Sequence, residues 1–278
     1  MQYYALIAGL PDITLDDAKL PFSVLEFKKE LNETLSSADK KLVDSLFLKY
    51  DNENLLAYLR NKDAALNEKG TISSESLADM VLEIKEVDKP QNKKIPPYFP
   101  EFVADYLSGE EGLHQLFWED QLASLYYDYL LRSKNAFIRE WAALNLNINN
   151  VLTALAARRN GQEYAPYIVG NNEVAQTLRS SNARDFGLTD IFEEFDDARR
   201  IDEETDLIEK ERKVDRLRWE WLDEKNFFNY FSVERVVGFV FKLQMLERWL
   251  TLNAERGKEI FVEIVDGLRR GATETSEF

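Results

Sequence analysis

The sequence predicts an all-α protein of two or three stacked helical subdomains, and three observations support this class. Apolar residues recur at helical spacing along most of the chain. Only 11 of the 278 residues are glycine and 7 are proline, fewer than the turns of a sandwich or barrel of this length normally need. A twelve-residue helical pattern also occurs twice. At most a short N-terminal strand is expected, near Tyr3–Ala8.

The repeated pattern reads DNENLLAYLRNK and, 96 positions later, NINNVLTALAAR. In each copy a small polar residue precedes an asparagine by three positions, and an apolar stripe follows; the polar residues are Asp51, Asn54, Asn147 and Asn150. Repetition at this spacing indicates duplicated helical units. We interpret the four side chains as structural, because Asn and Asp at a helix start cap the free N–H groups of the first turn.

One segment is expected to interrupt the helices. Residues 88–100, DKPQNKKIPPYFP, hold four prolines, and a helix does not cross such a stretch. The sequence therefore predicts an N-terminal helical subdomain over residues 1–87, a Pro-rich connection over 88–100 and a second helical region over 101–278. A break near residues 161–200 would divide this second region further.

Several helix boundaries follow from the periodicity and the turn residues. We expect separate helices over the ranges 51–70, 135–159 with a break or kink near 145–150, 201–224, 233–252 and 256–268. The helix over 201–224 is rich in both charges. Its spacing predicts the ion pairs Asp206–Lys210 and Glu209–Lys213 on a solvated face.

Composition excludes several kinds of site. The chain has no cysteine and a single histidine, so it has no disulfide, thiolate metal site or two-imidazole site. Glu111 and His114 form one Glu-x-x-His half-motif of a di-iron bundle, which needs a second copy; we interpret His114 as a surface or core residue. No metal or cofactor is expected. Neither a signal peptide nor a run of ~18 apolar residues is apparent, so we expect a cytosolic protein.

The strongly acidic charge bears on the partners. The net charge is −16 and the pI about 4.7, so nucleic-acid phosphates would be repelled and no nucleic-acid binding is expected. Neighbouring acids, at 193–194, 196–197 and 202–204, could perform acid–base hydrolysis if burial raised one pKa. Their charged sequence neighbours favour a solvated surface. The sequence also lacks a phosphate-binding loop, a nucleophile elbow and a dinucleotide fingerprint.

Two sequence features, the repeated pattern and a C-terminal block, resemble the central-stalk C-type subunit of V/A-type rotary ATPases. This subunit is known as the d-type subunit in vacuolar enzymes. The phrase Asp-x-x-Asn-apolar, ending in Leu-Arg, occurs at residues 51–60 and is echoed 96 positions later. The C-terminal block FSVERVVGFVFKLQMLERWL supplies Phe231, Glu234, an apolar helix over 236–246 and Glu247. The chain looks like a short, divergent bacterial member of this family.

The resemblance implies a non-catalytic subunit that links the rotor shaft subunits to the membrane rotor ring during proton or sodium transport. It would be cytoplasmic, peripheral to the inner face of the membrane and not inserted into it. A torque-bearing joint combines packed area with charge complementarity. The residues expected to contact partners are Glu204, Glu209, Glu211, Phe227, Phe228, Tyr230, Phe231 and Glu247. The alternatives are a generic cytosolic helical adaptor or scaffold, and a hydrolase that uses paired carboxylates.

Overall fold

The computed structural model describes residues 3–87, 95–109 and 117–274, with side chains as far as residue 253. Within these ranges the chain forms α-helices, one 3₁₀ turn at Ala165–Tyr167 and no strand, which confirms the all-α prediction. The expected N-terminal strand is a short helix. The half-motif at Glu111 and His114 lies outside the described residues, as do residues 88–94.

The helices are α1 (Tyr4–Ala8), α2 (Val24–Thr34), α3 (Ser37–Arg60), α4 (Ser74–Val87), α5 (Tyr98–Ser108), α6 (Trp118–Leu131), α7 (Ala136–Arg159), α8 (Glu173–Ser180), α9 (Phe195–Asp202), α10 (Leu207–Asn226) and α11 (Val233–Glu274). Their contacts divide the chain into two units. Unit 1 contains residues 1–34 and 226–278, and unit 2 contains residues 35–225.

Unit 1 is built on α11. The side chain of Phe27 in α2 meets Phe239 in α11 edge to face, with ring centroids 5.2 Å apart. At the start of α2, the backbone N–H of Val24 donates to Glu247 Oε1 over 2.9 Å. The carboxylate of Glu247 thus lies where the helix dipole favours a negative charge.

Helix α11 is one unbroken helix of 42 residues. The prediction of two helices, over 233–252 and 256–268, is therefore wrong. Residues 253–257, where the first predicted helix ends and the second begins, include one glycine, Gly257, and no proline. A single glycine within a helical pattern costs only ~1 kcal/mol and does not by itself end a helix.

Unit 2 contains a repeated helical arrangement. Helices α3 and α7 are each 24 residues long, and their first residues, Ser37 and Ala136, lie 99 positions apart. Their N-caps match: the side chain of Ser36 accepts a hydrogen bond from the N–H of Asp39, and that of Asn135 accepts one from Ile138. Each long helix is followed by a loop and a shorter helix, α4 or α8.

The repeated polar pattern lies inside the long helices and not at their starts. Asp51 and Asn54 belong to α3, and Asn147 and Asn150 belong to α7. The prediction that these residues begin helices is wrong, and so is the break predicted near 145–150. Neither helix contains glycine or proline, so nothing in the backbone ends it, and the polar side chains find partners outside the helix.

The charged helix predicted over 201–224 is also divided. Helix α9 ends at Asp202, and α10 begins at Leu207. The carboxylate of Asp206 accepts hydrogen bonds from the N–H groups of Ile208 and Glu209 and so caps the start of α10.

The ion pairs of this region run across the turn and not along α10. Lys210 binds Asp202 over 2.9 Å and Lys213 binds Glu204 over 2.6 Å. They replace the predicted pairs Asp206–Lys210 and Glu209–Lys213, because Asp206 precedes the helix and caps it.

The helices on both sides of the Pro-rich segment share one hydrophobic core. Leu55, Leu77, Phe99, Phe102 and Leu122, from α3 to α6, are each at most 1% exposed within it. Burying a large apolar side chain contributes ~1.5–3 kcal/mol, so this core holds the four helices together. The two units therefore differ from the division predicted at 88–100, because residues on both sides of that segment are buried together.

Candidate functional site

Asn54 and Asn150 each bind the backbone of a downstream loop through both atoms of the side-chain amide. Asn54 Nδ2 donates to the carbonyl of Asn67 over 3.0 Å, and the N–H of Asn67 donates to Asn54 Oδ1 over 2.6 Å. Asn150 makes the same pair with Val169, at 2.8 and 2.9 Å. We call these interactions the loop clamps. They give the amide groups of two buried side chains hydrogen-bond partners on the backbone of each loop.

The other polar residue of each pattern, Asp51 or Asn147, lies one helical turn before the asparagine of the clamp. It positions the shorter helix that follows. Asp51 Oδ1 accepts from the N–H groups of Thr71 and Ile72, at 2.7 and 2.9 Å. Asn147 Oδ1 accepts from the side chain of Asn172 over 2.7 Å, and Asn172 Oδ1 caps α8 by accepting from Ala175. All four repeated side chains therefore hold loops in place, and none of them caps a helix start.

A glycine lies beside each loop clamp. A Cβ atom at Gly70 would lie 2.5 Å from Asn54 Nδ2 and 2.7 Å from Asp51 Oδ1. Gly170 has φ +76°, and a Cβ there would lie 2.8 Å from a methyl carbon of Leu146. Neither glycine was predicted from the sequence. Their signal is the recurrence of glycine shortly after each pattern, 16 positions after Asn54 and 20 after Asn150.

The candidate partner-binding site is an exposed aromatic group in unit 1. Its four residues, which we call the aromatic corner, are Phe227 (65% exposed), Phe228 (79%), Tyr230 (62%) and Phe231 (38%). Tyr4 was not among the predicted residues, yet it is 54% exposed and has its ring 4.5 Å from that of Phe231. The N–H of Tyr3 donates to the carbonyl of Phe231 over 2.8 Å, which ties the corner to the N-terminal segment.

The acidic residues predicted to contact partners have different roles. Glu204 binds Lys213 and accepts from the N–H groups of Thr205 and Asp206. These hydrogen bonds, first that of Lys213, lower the pKa of the Glu204 carboxyl. Glu247 holds the start of α2. Of the four predicted acids, Glu209 and Glu211 are therefore the two exposed on α10.

The neighbouring acids considered for hydrolysis mostly form ion pairs. Asp196 pairs with Arg199 and Asp197 with Arg200 along α9. Asp202 binds both Arg159 and Lys210. Glu194 differs, because burial raises the pKa of its carboxyl. It lines a cavity of about 230 Å³ together with Glu193, Glu220, Glu224 and Lys225. The described residues that line this cavity include no serine or threonine.

The part of the chain that the structure describes contains neither a metal-binding cluster nor a membrane-spanning helix. No group of three His, Cys, Asp or Glu side chains there is arranged to hold a metal ion. No helix within the same residues is both long and apolar enough to cross a membrane.

Replacing Asn54 or Asn150 by alanine should destabilise the fold and leave partner binding by the folded protein unchanged. Each change removes two hydrogen bonds between a buried side chain and the loop backbone, which costs ~1–3 kcal/mol in total. Urea unfolding measures the loss. Asn32→Ala, on the exposed face of α2, is the matched control and should change stability little. Selective loss of binding with normal stability would instead make the clamp asparagines binding residues.

Replacing Gly70 by alanine should lower stability by ~1–3 kcal/mol, because the new methyl group overlaps the Asn54 and Asp51 side chains. Gly9→Ala is the control, since a Cβ there meets its nearest atoms at 3.5 Å, an ordinary contact. Thermal unfolding of the two variants compares them directly. Equal melting temperatures would contradict the close approach at Gly70.

Comparison with known proteins gives one match. No curated protein and no solved structure matches the chain. A family model described as "Protein of unknown function (DUF2764)" matches residues 1–272. Because this match extends over nearly the whole sequence, the chain belongs to the DUF2764 family.

Proposed function

We propose that this protein is a non-catalytic coupling subunit of a V/A-type ATPase or ATP synthase, linking the central rotor shaft to the membrane rotor ring. The observation that carries the proposal is the exposed aromatic corner on an acidic, helical protein, which has the character of a protein-binding surface. The resemblance of the repeated pattern and the C-terminal block to the C-type subunit of these enzymes supplies the identity of the partners. The protein would act in the cytoplasm, peripheral to the inner face of the membrane.

The aromatic corner suits protein binding because of its chemistry. Tyr and Phe rings bury a large area while losing few side-chain degrees of freedom, and aromatic residues are enriched at interfaces. Large aromatic side chains exposed together are uncommon on a surface without a partner. Phe227 and Phe228 already pack edge to face, with centroids 4.9 Å apart, so part of the surface is ordered before a partner arrives.

The loop clamps support a mechanical role. A protein that transmits torque must resist deformation, and loops are the least stable parts of most folds. In both repeats of unit 2, a buried asparagine fixes the loop after the long helix at two backbone atoms. The charge supports the choice of partners, because a net charge of −16 favours basic partner surfaces.

Affinity purification of the tagged full chain from its native cells should recover the rotor shaft and ring subunits of a V/A-type ATPase. Tyr230→Ser should reduce this recovery at least about tenfold, because an anchoring aromatic residue typically contributes about 2 kcal/mol or more to binding. Tyr167→Ser is the matched control, since Tyr167 is also exposed, at 46%, but belongs to unit 2. Recovery of other proteins without any ATPase component would favour the alternative, a generic cytosolic helical adaptor or scaffold.

Raising the salt concentration should weaken association with the shaft, because the Debye screening length falls to ~3 Å at 1 M. If α10 contributes, Glu209→Lys and Glu211→Lys together should slow association and reduce its salt dependence. Glu204 is left unchanged, because reversing its charge would break the Lys213 pair. Glu68→Lys and Glu163→Lys together, both in exposed loops, control for the change in net charge. Salt-independent association, with normal binding by the double variant, would exclude α10 from the interface.

A further inference from the structure

We propose that a cleft in unit 2 binds an alkylguanidinium cation through Asp105, Asp128 and Gln121. The cleft has a volume of about 510 Å³ and lies between α5, α6 and the loop that precedes α8. This volume falls within the ~300–1,000 Å³ typical of sites for small organic ligands. The cleft shares no residue with the aromatic corner. The proposal of its ligand does not depend on the proposed function.

Among the described residues that line the cleft, acidic side chains outnumber basic ones. Three carboxylates line it, those of Glu101, Asp105 and Asp128, together with the guanidinium of Arg179. The guanidinium of Arg179 binds the loop: it donates to the carbonyls of Ile168 and Gly170 over 2.6 and 2.7 Å. Its weaker contact, at 3.4 Å, is with Asn171 Oδ1. These hydrogen bonds go to neutral oxygens, so the carboxylates remain available to a cation from outside.

Gln121 supplies a second, independent indication of a ligand. Its side chain lines the cleft, yet the residue is only 9% exposed. Its Nε2 donates to Asp105 Oδ2 over 3.0 Å. Its Oε1 is buried and has no hydrogen-bond partner in the described part of the chain. A buried carbonyl oxygen without a partner costs ~1–3 kcal/mol, and a ligand that donates an N–H to it would remove this cost.

The arrangement of acceptors favours a guanidinium over a metal ion. Asp105 and Gln121 are hydrogen-bonded to each other, so their oxygens offer neighbouring acceptors to one planar group with several N–H donors. Among the described residues, no three acidic side chains converge closely enough to hold a metal. Leu125, Pro166 and Ile168 also line the cleft, and they provide apolar surface for an alkyl stem.

The wall of the cleft is fixed before a ligand binds. Val169 is held by the clamp residue Asn150, and the residues on either side of it are held by Arg179. Binding a ligand therefore does not have to order this loop, which removes one of the usual costs of association.

Isothermal titration of the full chain with butylguanidinium chloride, at low ionic strength, tests the site. We expect one binding site, and at least about tenfold weaker binding by both Asp105→Asn and Asp128→Asn, since each removes a charged acceptor. The matched control is Asp190→Asn, which removes the same charge from an exposed position outside the cleft and should bind normally. Asp128→Asn should keep or raise the melting temperature, because it removes one of the like charges that line the cleft. Its loss of binding would then not reflect unfolding.

A second titration distinguishes a free ligand from a protein side chain. The probe is the capped peptide acetyl-Gly-Arg-Gly-amide, with the citrulline peptide as its neutral counterpart. Tighter binding of the arginine peptide than of butylguanidinium, which carries the same charge, would identify a partner's arginine as the occupant, and the reverse order would identify a free alkylguanidinium. Either order supports the cleft. The proposal is overturned if neither probe binds at up to about 10 mM, if the citrulline peptide binds as well as the arginine peptide, or if Asp190→Asn weakens binding as much as the cleft variants.

Discussion

The structure of unit 2 depends on the hydrogen bonding of two buried asparagine side chains. Asn54 and Asn150 each face the backbone of one loop residue, donating to its carbonyl and accepting from its N–H. Only an amide side chain offers a donor and an acceptor in this geometry. An aspartate there would accept but would place a charge against the loop carbonyl. This requirement explains why asparagine occupies the position in both repeats.

The residue one turn earlier faces a different requirement, and the two repeats differ there. Asp51 only accepts hydrogen bonds, from the backbone of Thr71 and Ile72 and from the Thr71 hydroxyl. Asn147 also uses its oxygen as an acceptor, from the side chain of Asn172. Either aspartate or asparagine can accept. The position is therefore compatible with aspartate in the first repeat and with asparagine in the second.

The sequence predicted what depends on local pattern and missed what depends on contacts between distant residues. Apolar periodicity with few glycines and prolines was enough to predict the all-α class, and the repeated pattern identified four residues that do hold structure. These residues were assigned to helix starts because Asn and Asp are common N-caps. The assignment was wrong because their hydrogen-bond partners lie in loops further along the chain. A propensity of a few tenths of a kcal/mol is easily outweighed by two buried hydrogen bonds.

The two candidate sites also differ in whether the sequence predicts them. The aromatic corner lies in the turn after α10. The sequence indicates this turn, because Asn226 and Asn229 are residues that commonly end helices and form turns. The cleft was not predictable, because Asp105 and Gln121 are joined only by the packing of α5 on α6, and Arg179 reaches it from α8. Likewise, the partner of Glu247 is a backbone N–H 223 positions earlier in the chain.

The acidic composition of the chain serves several distinct purposes, so net charge alone does not describe its surface. Asp51, Asp206 and Glu247 accept from backbone N–H groups, and each stabilises a loop or a helix start. Such bonds to ionised acceptors are stronger than neutral ones, and the charge they involve is already engaged within the molecule.

The carboxylates of α10 and of the cleft differ from this internal set. Glu209 and Glu211 are exposed on a helix, where ionic strength screens them and where they act mainly on the rate of encounter. Asp105 lies beside the buried amide of Gln121, where a lower effective dielectric strengthens its attraction for a cation. Under the two proposals, the same residue type speeds the approach of a basic partner at one position and holds a single cationic group at another. Burial decides which of the two a given carboxylate does.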